Sequence, residues 1–222
     1  MYEALLQLPL FQGLCTDDFT CIIEKVKFHF RSYSGNEVIM NQGDACNQLA
    51  FLLEGNLLSK RTDDKHGFKL IETITAPAII EPYSLFGMYT YYESTYQAQE
   101  EVKLLVIDKS YILSELSNYE IFRLNYLNLL SNRAQVNQRK LWNTHIGSLE
   151  EKLANFFLSR CLKPEGTKTL RIGMEELAGL INETRINVSR KLNELREKSI
   201  ILLRRKEIHI PEMADFLREL QP

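Results

Sequence analysis

Along the 222 residues the spacing of apolar side chains changes character three times. Residues 16–26, TDDFTCIIEKV, open with a capping threonine, Thr16, and an acidic first turn, then place apolar groups as a short helix does. From Lys27 to about Lys109 short apolar runs alternate with turn residues. Val38–Met40, Leu49–Leu53, Phe68–Ile74 and Val102–Ile107 have strand length and composition, and Gly35, Gly43, Gly55, Gly67 and Pro77 punctuate them. Turn signals this frequent predict an antiparallel barrel or sandwich.

Ser110 to Trp142 contains neither glycine nor proline and predicts one helix, far longer than the usual length of about 11 or 12 residues. Two apolar seams run along it. Phe122, Tyr126, Leu129 and Val136 follow one heptad line, and Leu127, Leu130, Ala134 and Leu141 an adjacent one. One seam suits packing against the barrel and the other a partner helix across a two-fold axis, although a helix packed only within its own chain has the same pattern. Asn143–Ser148 reads as a hinge. The expected organisation is a barrel domain over residues 1–109, a dimerisation helix over 110–142 and a third segment over 143–222.

That third segment reads as helices in a fixed order. Leu149–Leu162 is amphipathic, Thr169–Ile172 is strand-like, Met174–Ile181 is a short helix, Asn182-Glu183-Thr184 is a turn and Arg185–Lys198 a second helix. This is the helix-turn-helix pattern. Ile200–Leu203, then Arg204-Arg205-Lys206-Glu207, then Ile208–Ile210 has the shape of a hairpin with a basic tip, and Pro211 suits the first turn of a closing helix.

Charge sharpens this reading. The chain carries 27 Lys and Arg against 29 Asp and Glu, a net charge of -2, yet residues 185–206 hold eight basic residues and only Glu194 and Glu197. Such a concentration suits a phosphate-facing surface. Val188, Leu192 and Leu195 form an inner face on the second helix, leaving Arg185, Asn187, Ser189 and Arg190 on the outer side with Lys191 near the edge. Thr184 stands where an N-cap belongs, and arginine and asparagine are the residues that grip guanine and adenine in bidentate fashion. Arg204, Arg205 and Lys206 would touch the backbone from the hairpin.

Other classes are excluded. No apolar run approaches the roughly 18 residues of a bilayer-spanning helix. The first residues, with Glu3 where a secretory signal needs basic charge, point to a cytoplasmic protein. Cys15, Cys21, Cys46 and Cys161 form no C-x-x-C pair, and His29, His66, His145 and His209 form no metal-binding spacing. Neither a metal nor another cofactor is expected, and an enzyme built on a cupin-like barrel lacks its ligands.

These motifs resemble the CRP/FNR superfamily of bacterial transcription regulators over nearly the whole chain. Leu10-Phe11-Gln12-Gly13-Leu14 resembles the family's first segment. Gly35, Gln42-Gly43-Asp44 and Leu52-Leu53-Glu54-Gly55 resemble its barrel turns, and Val188-Ser189-Arg190-Lys191-Leu192 its winged helix-turn-helix. The resemblance implies an α+β fold: an N-terminal antiparallel β-barrel of the double-stranded β-helix or jelly-roll type, a long dimerisation helix and a C-terminal winged helix-turn-helix. It implies a homodimer that binds double-stranded DNA at a near-palindromic operator, with RNA polymerase as a further partner. Arg185 and Arg190 fall where family members place DNA-contacting arginines. Ile186 departs, since many members carry a cytosine-reading glutamate there.

The effector region departs further. Cyclic-nucleotide-binding members use a Gly-Glu pair and a later arginine, whereas this chain has Ile80-Glu81-Pro82, then Tyr91-Tyr92-Glu93-Ser94-Thr95, and no Arg or Lys between Glu72 and Lys103. A cyclic phosphate would find no cation in this segment, so cAMP is not the expected effector. The iron-sulfur members' cysteine cluster is absent, and His66 alone identifies no haem site. Glu81, Tyr83, Tyr91, Tyr92 and Tyr96 either line a pocket for an apolar or aromatic molecule or fill the barrel, and filling is the commoner use of such residues. The rival to a DNA-binding regulator is a ligand sensor whose helix-turn-helix serves as a protein-interaction module.

Overall fold

In the computed structural model, which describes residue 6, residues 8–142 and residues 147–220, helix α1 spans Thr16–Lys25. Its cap is Cys15, one residue before the expected Thr16. Cys15 is extended and its Sγ accepts from the Asp18 amide at 3.3 Å, while Thr16 is already helical. Phe19 and Ile22 form the buried face.

The strands follow as β1 (His29–Tyr33), β2 (Val38–Met40), β3 (Gln48–Glu54), β4 (Asn56–Asp63), β5 (Phe68–Thr75), β6 (Ala78–Ile80), β7 (Thr95–Ala98) and β8 (Val102–Asp108). By contacts, the described residues up to Leu58 form one unit with Ile74–Gln135, and Ser59–Thr73 forms a second with the described residues from Val136 onward. The first unit is the expected antiparallel β domain. One sheet runs β1-β8-β3-β6, and β7 lies between the start of β4 and β2. Leu49, Ala50, Phe51 and Leu52 on central strand β3 are all buried. At the β3–β4 turn Gly55 has φ +86°, and a Cβ there would sit 2.6 Å from the Glu101 carbonyl oxygen, so only glycine fits.

Phe11 ties this unit together. Its ring lies 5.8 Å from Phe19 on α1, 6.4 Å from Phe28, 5.6 Å from Phe51 on β3 and 5.5 Å from Phe122.

The single helix expected over 110–142 is interrupted. α2 (Lys109–Ser114) gives way to a 3-10 turn at Leu116–Asn118, and α3 begins at Glu120 and runs to Trp142. Ser117 Oγ donates to the Leu113 carbonyl and Asn118 Nδ2 to the Ser114 carbonyl, each at 2.7 Å, and Tyr119 is extended. These short polar side chains take the carbonyls that a continuing helix would use. Of the two seams on α3, Phe122 and Tyr126 are buried within the unit, while Leu127 and Ala134 are exposed and Leu130 half-buried. Phe122 and Tyr126 therefore face the chain's own core, not a partner helix. Val136, on the same heptad line as Phe122, is exposed, and Leu124, which neither seam included, is exposed beside Leu127. The hinge expected at Asn143–Ser148 falls for residues 143–146 outside the described residues, as does the side chain of Leu141.

In the second unit α4 (Leu149–Arg160) starts with a capping box between Ser148 and Glu151. β9 (Lys168–Arg171), α5 (Met174–Leu180), α6 (Arg185–Glu197), β10 (Leu202–Arg204), β11 (Glu207–Ile210) and α7 (Met213–Leu220) follow. The sheet here runs β10-β11-β9-β5. Leu203, Ile208, Leu170 and Leu70 stand opposite one another across its four strands. With Phe68, Phe157, Phe216 and the apolar side of α6 they form one core. Beside that row Lys168 pairs with Glu72 at 3.0 Å, with the two residues only 1% and 4% exposed. Both Glu72 oxygens also accept the Leu162 amide at 3.0 Å.

Phe11→Ala is expected to destabilise the first unit by about 3–5 kcal/mol, through lost burial and the cavity left among four rings. The urea midpoint of the transition reporting on that unit checks it.

Candidate nucleic-acid interface

α6 is built so that one side is committed to the core and the other is open. Thr184 caps it, its Oγ1 accepting from the Asn187 amide at 3.2 Å, and Val188, Leu192 and Leu195 are buried. Arg185, Ile186 and Arg190 are exposed, Ile186 to 74%. Arg190 donates from Nη2 to Asn187 Oδ1 at 3.0 Å, which lays its guanidinium along the open face. Ser189 is half-buried, and Asn193 donates to its carbonyl at 2.8 Å.

The turn before α6 is pinned from α4. Lys152 Nζ pairs with Glu183 at 2.8 Å and donates to the Asn182 carbonyl at 3.4 Å. Asn182 is in the left-handed region at φ +52°, which turns the chain between α5 and α6. Glu183 is held below the ordinary carboxylate range chiefly by the Lys152 hydrogen bond. Lys191, expected near the edge of the interface, bonds instead to Glu150 on α4 at 2.8 Å and lies 3.6 Å from Glu194.

The hairpin between β10 and β11 turns through Arg205 and Lys206, with Lys206 at φ +56°. The Ile172 amide donates to the Lys206 carbonyl at 3.0 Å and anchors the tip. Arg204, Arg205 and Lys206 are all exposed. A groove of about 370 Å³ is lined by Arg185 from the start of α6 and by Arg204 and Lys206 from the hairpin, with Glu175, Glu176 and Glu207 along its wall. The structure thus brings the first arginine of the helix and two hairpin cations to one concavity, where Arg204 lies 3.8 Å from Glu207. Residues that sequence reasoning missed, Lys152, Glu183, Glu150 and the Ile172 amide, hold this arrangement from elsewhere in the fold. No local motif marks them, because each acts through a partner distant in sequence.

The candidate effector residues do not converge on one pocket. Glu81, buried and at φ +36°, accepts from Ser84 Oγ, the Glu93 amide and Tyr96 OH, each at 2.8 Å. Tyr96 is thus a partner of Glu81 inside the core. Tyr92 is buried and hydrogen-bonded to Cys46, and burial pushes both groups' pKa values up. Tyr91 is exposed, its ring 5.9 Å from that of Tyr89. Tyr83 carries the Arg133 guanidinium over its ring at 3.5 Å, and Tyr126 OH donates to the Pro82 carbonyl at 2.5 Å. The segment without basic residues therefore receives a cation from helix α3, a contact its own sequence does not announce. Among the described residues no three His, Cys, Asp or Glu side chains are grouped to hold a metal ion.

Residues 30–119 match the profile of the cyclic nucleotide-binding domain and residues 151–219 that of the Crp-like helix-turn-helix domain. In fold the chain is similar to the Thermus thermophilus catabolite activator protein (23% identity, 96% of this chain and 97% of that one, TM-score 0.53). It is also similar to CLP, the c-di-GMP-responsive global regulator of Xanthomonas campestris (18% identity, 89% and 99%, TM-score 0.50). The sensor domain of the regulator DNR from Pseudomonas aeruginosa aligns at 18% identity over 60% of this chain and 92% of that one, with TM-score 0.50. No curated protein matches the chain. An antiparallel β domain followed by a Crp-like helix-turn-helix defines a class of transcription regulators. The chain belongs to the CRP/FNR family.

Lys191→Gln tests the ion pair behind α6. The Lys191 hydrogen bond holds Glu150 below its ordinary 4.5 and raises Lys191 above its ordinary 10.5. The pair's contribution is complete between those two values. It is lost as pH falls through the lowered Glu150 pKa and as pH rises through the raised Lys191 pKa. Because the pair is partly solvated, the variant is expected to lose at most about 1 kcal/mol at neutral pH. Unfolding curves across pH should show the difference from the unsubstituted chain fading on both the acid and the alkaline side.

Proposed function

We propose that the protein is a sequence-specific, DNA-binding transcription regulator that acts in the cytoplasm as a homodimer on a near-palindromic operator. The observation that carries this is the convergence of Arg185, Arg204 and Lys206 on one groove at the open end of a capped, core-anchored helix. Arg185, Asn187 and Arg190 read base edges in the major groove. Thr184, Ser189, Lys191, Arg204, Arg205 and Lys206 contact or frame the backbone, and RNA polymerase is the partner that converts binding into control. Ile186, the most exposed apolar side chain on α6, suits the methyl group of thymine.

The dimer rests on α3. Leu124 and Leu127 are 46% and 53% exposed on one side of the helix, with Ala134 exposed further along. A second copy of the same helix covers such a stripe, and two recognition helices then meet successive major grooves about 34–36 Å apart. Control comes from an effector other than cAMP. Glu81 is buried and already accepts from Ser84, Tyr96 and the Glu93 amide, and no Arg or Lys stands between Glu72 and Lys103 in the sequence to meet a cyclic phosphate.

Selection of bound duplexes from a random DNA pool tests the reading. A palindromic motif supports it, while no enrichment with or without added cell metabolites favours the interaction-module alternative. Against the selected operator, Arg190→Ala is expected to lower affinity by about 5- to 150-fold, the worth of one bidentate base contact, with dimerisation unchanged. Leu127→Glu is expected to shift the protein from dimer to monomer in light scattering and to weaken operator binding, since each half-site then binds alone.

A further inference from the structure

We propose that Glu72 is a positioning residue for DNA reading: through Lys168 it seats the Ser59–Thr73 hairpin in the DNA-binding unit, and the seated hairpin supports the recognition helix. This rests on the DNA-binding reading above and names a part of the chain outside the helix-turn-helix on which that reading depends. The helix-turn-helix profile ends its match at residues 151–219, yet the unit that contains it includes Ser59–Thr73.

Three observations place the hairpin inside that unit. First, β5 completes the sheet, with Lys69, Leu70, Ile71 and Glu72 standing opposite Arg171, Leu170, Thr169 and Lys168. Second, Phe68 and Leu70 belong to the same hydrophobic core as Val188, Leu192 and Leu195, the side of α6 that sets how its outer side is presented. The Phe68 ring packs edge-on to Phe156 at 6.1 Å. Third, the Glu72 carboxylate is where the two segments are pinned, taking the Lys168 ammonium and the Leu162 amide in a site closed to water.

The physical consequence is directional. With the hairpin seated, Lys168 and Glu72 neutralise each other. With the hairpin withdrawn, Lys168 loses its partner, the edge of β9 loses its hydrogen bonds, and α6 loses two apolar side chains from the core beneath it. The seated state is therefore the one that holds the recognition helix rigidly.

The test uses the full chain in a Cys15→Ser, Cys21→Ser background and the operator from the selection. In Glu72→Gln, backbone amides of β5 and β9 are expected to exchange faster with solvent while those of β3 and β8 are unchanged. Operator affinity is expected to fall by about tenfold or more, as loss of one partner from a buried pair implies. Ile71→Cys with Thr169→Cys places two thiols at directly opposed positions, within the reach of a disulfide. Oxidised in the unsubstituted Glu72 chain, this cross-link is expected to leave operator affinity intact, and in Glu72→Gln to restore it. A general loss of stability would instead accelerate exchange in β3 and β8 as well, which overturns the proposal. So does a cross-linked Glu72 chain that no longer binds the operator, since the seated hairpin would then block DNA. If the parent chain binds and Glu72→Gln binds equally well, the positioning role falls and the DNA reading stands. If the parent chain enriches no duplex at all, the DNA reading falls and takes the positioning role with it.

Discussion

Lys168 and Glu72 lie far apart in the chain and meet at 3.0 Å in a place that water does not reach. Removing two charges from water is costly, and mutual attraction offsets that cost only if the geometry is good and the remaining acceptor capacity is filled. Here the Leu162 amide fills it from the end of α4. The pair thereby sets the register of β5 on β9. A slip of one residue would turn Glu72 to the opposite face and leave Lys168 buried alone. From that register follow the row Leu70, Leu170, Ile208 and Leu203 in the core and, on the other face, the row Lys69, Arg171, Glu207 and Arg204 that leads to the basic hairpin.

Function then depends on a division of labour across a single helix. The same 13 residues of α6 must be anchored and open, and the 3.6-residue period lets Val188, Leu192 and Leu195 do the first while Arg185, Ile186 and Arg190 do the second. Its surroundings remove slack. Thr184 holds its first turn, Lys152 holds the preceding loop, Glu150 holds Lys191, and the Ile172 amide holds the tip of the wing. The backbone around the groove at the start of α6 is thus held from several sides, while the Arg185, Arg204 and Lys206 side chains that line it stay exposed.

The first unit shows the same economy at Glu81. In a region with no nearby basic residue in sequence, its carboxylate is stabilised by an amide and two hydroxyls, while Arg133 lies over the Tyr83 ring and Lys109 over that of Phe86. Neutral donors hold a buried carboxylate when no ammonium is at hand, provided the backbone brings them together. The left-handed backbone at Glu81, followed by Pro82, is what turns the carboxylate toward Ser84 and Tyr96.

By itself the sequence determined the local elements and the class of protein. The strand runs, the helix-turn-helix, the basic hairpin and the cap at Thr184 are short-range matters of period, turn chemistry and charge, and each stands where those rules put it. The limits of local pattern show at particular residues. Cys15 displaced Thr16 as the cap of α1, and Ser117 and Asn118 broke a helix that lacked glycine and proline, because side-chain hydrogen bonds to the backbone outweighed propensity. Only the tertiary structure decided that Ser59–Thr73 completes the unit that holds the helix-turn-helix, that Lys191 turns to Glu150, and that Glu81 finds its partners at Ser84, Glu93 and Tyr96. Those outcomes rest on pairings across many residues and on the cost of leaving a buried polar group alone, and neither quantity exists until the chain has folded.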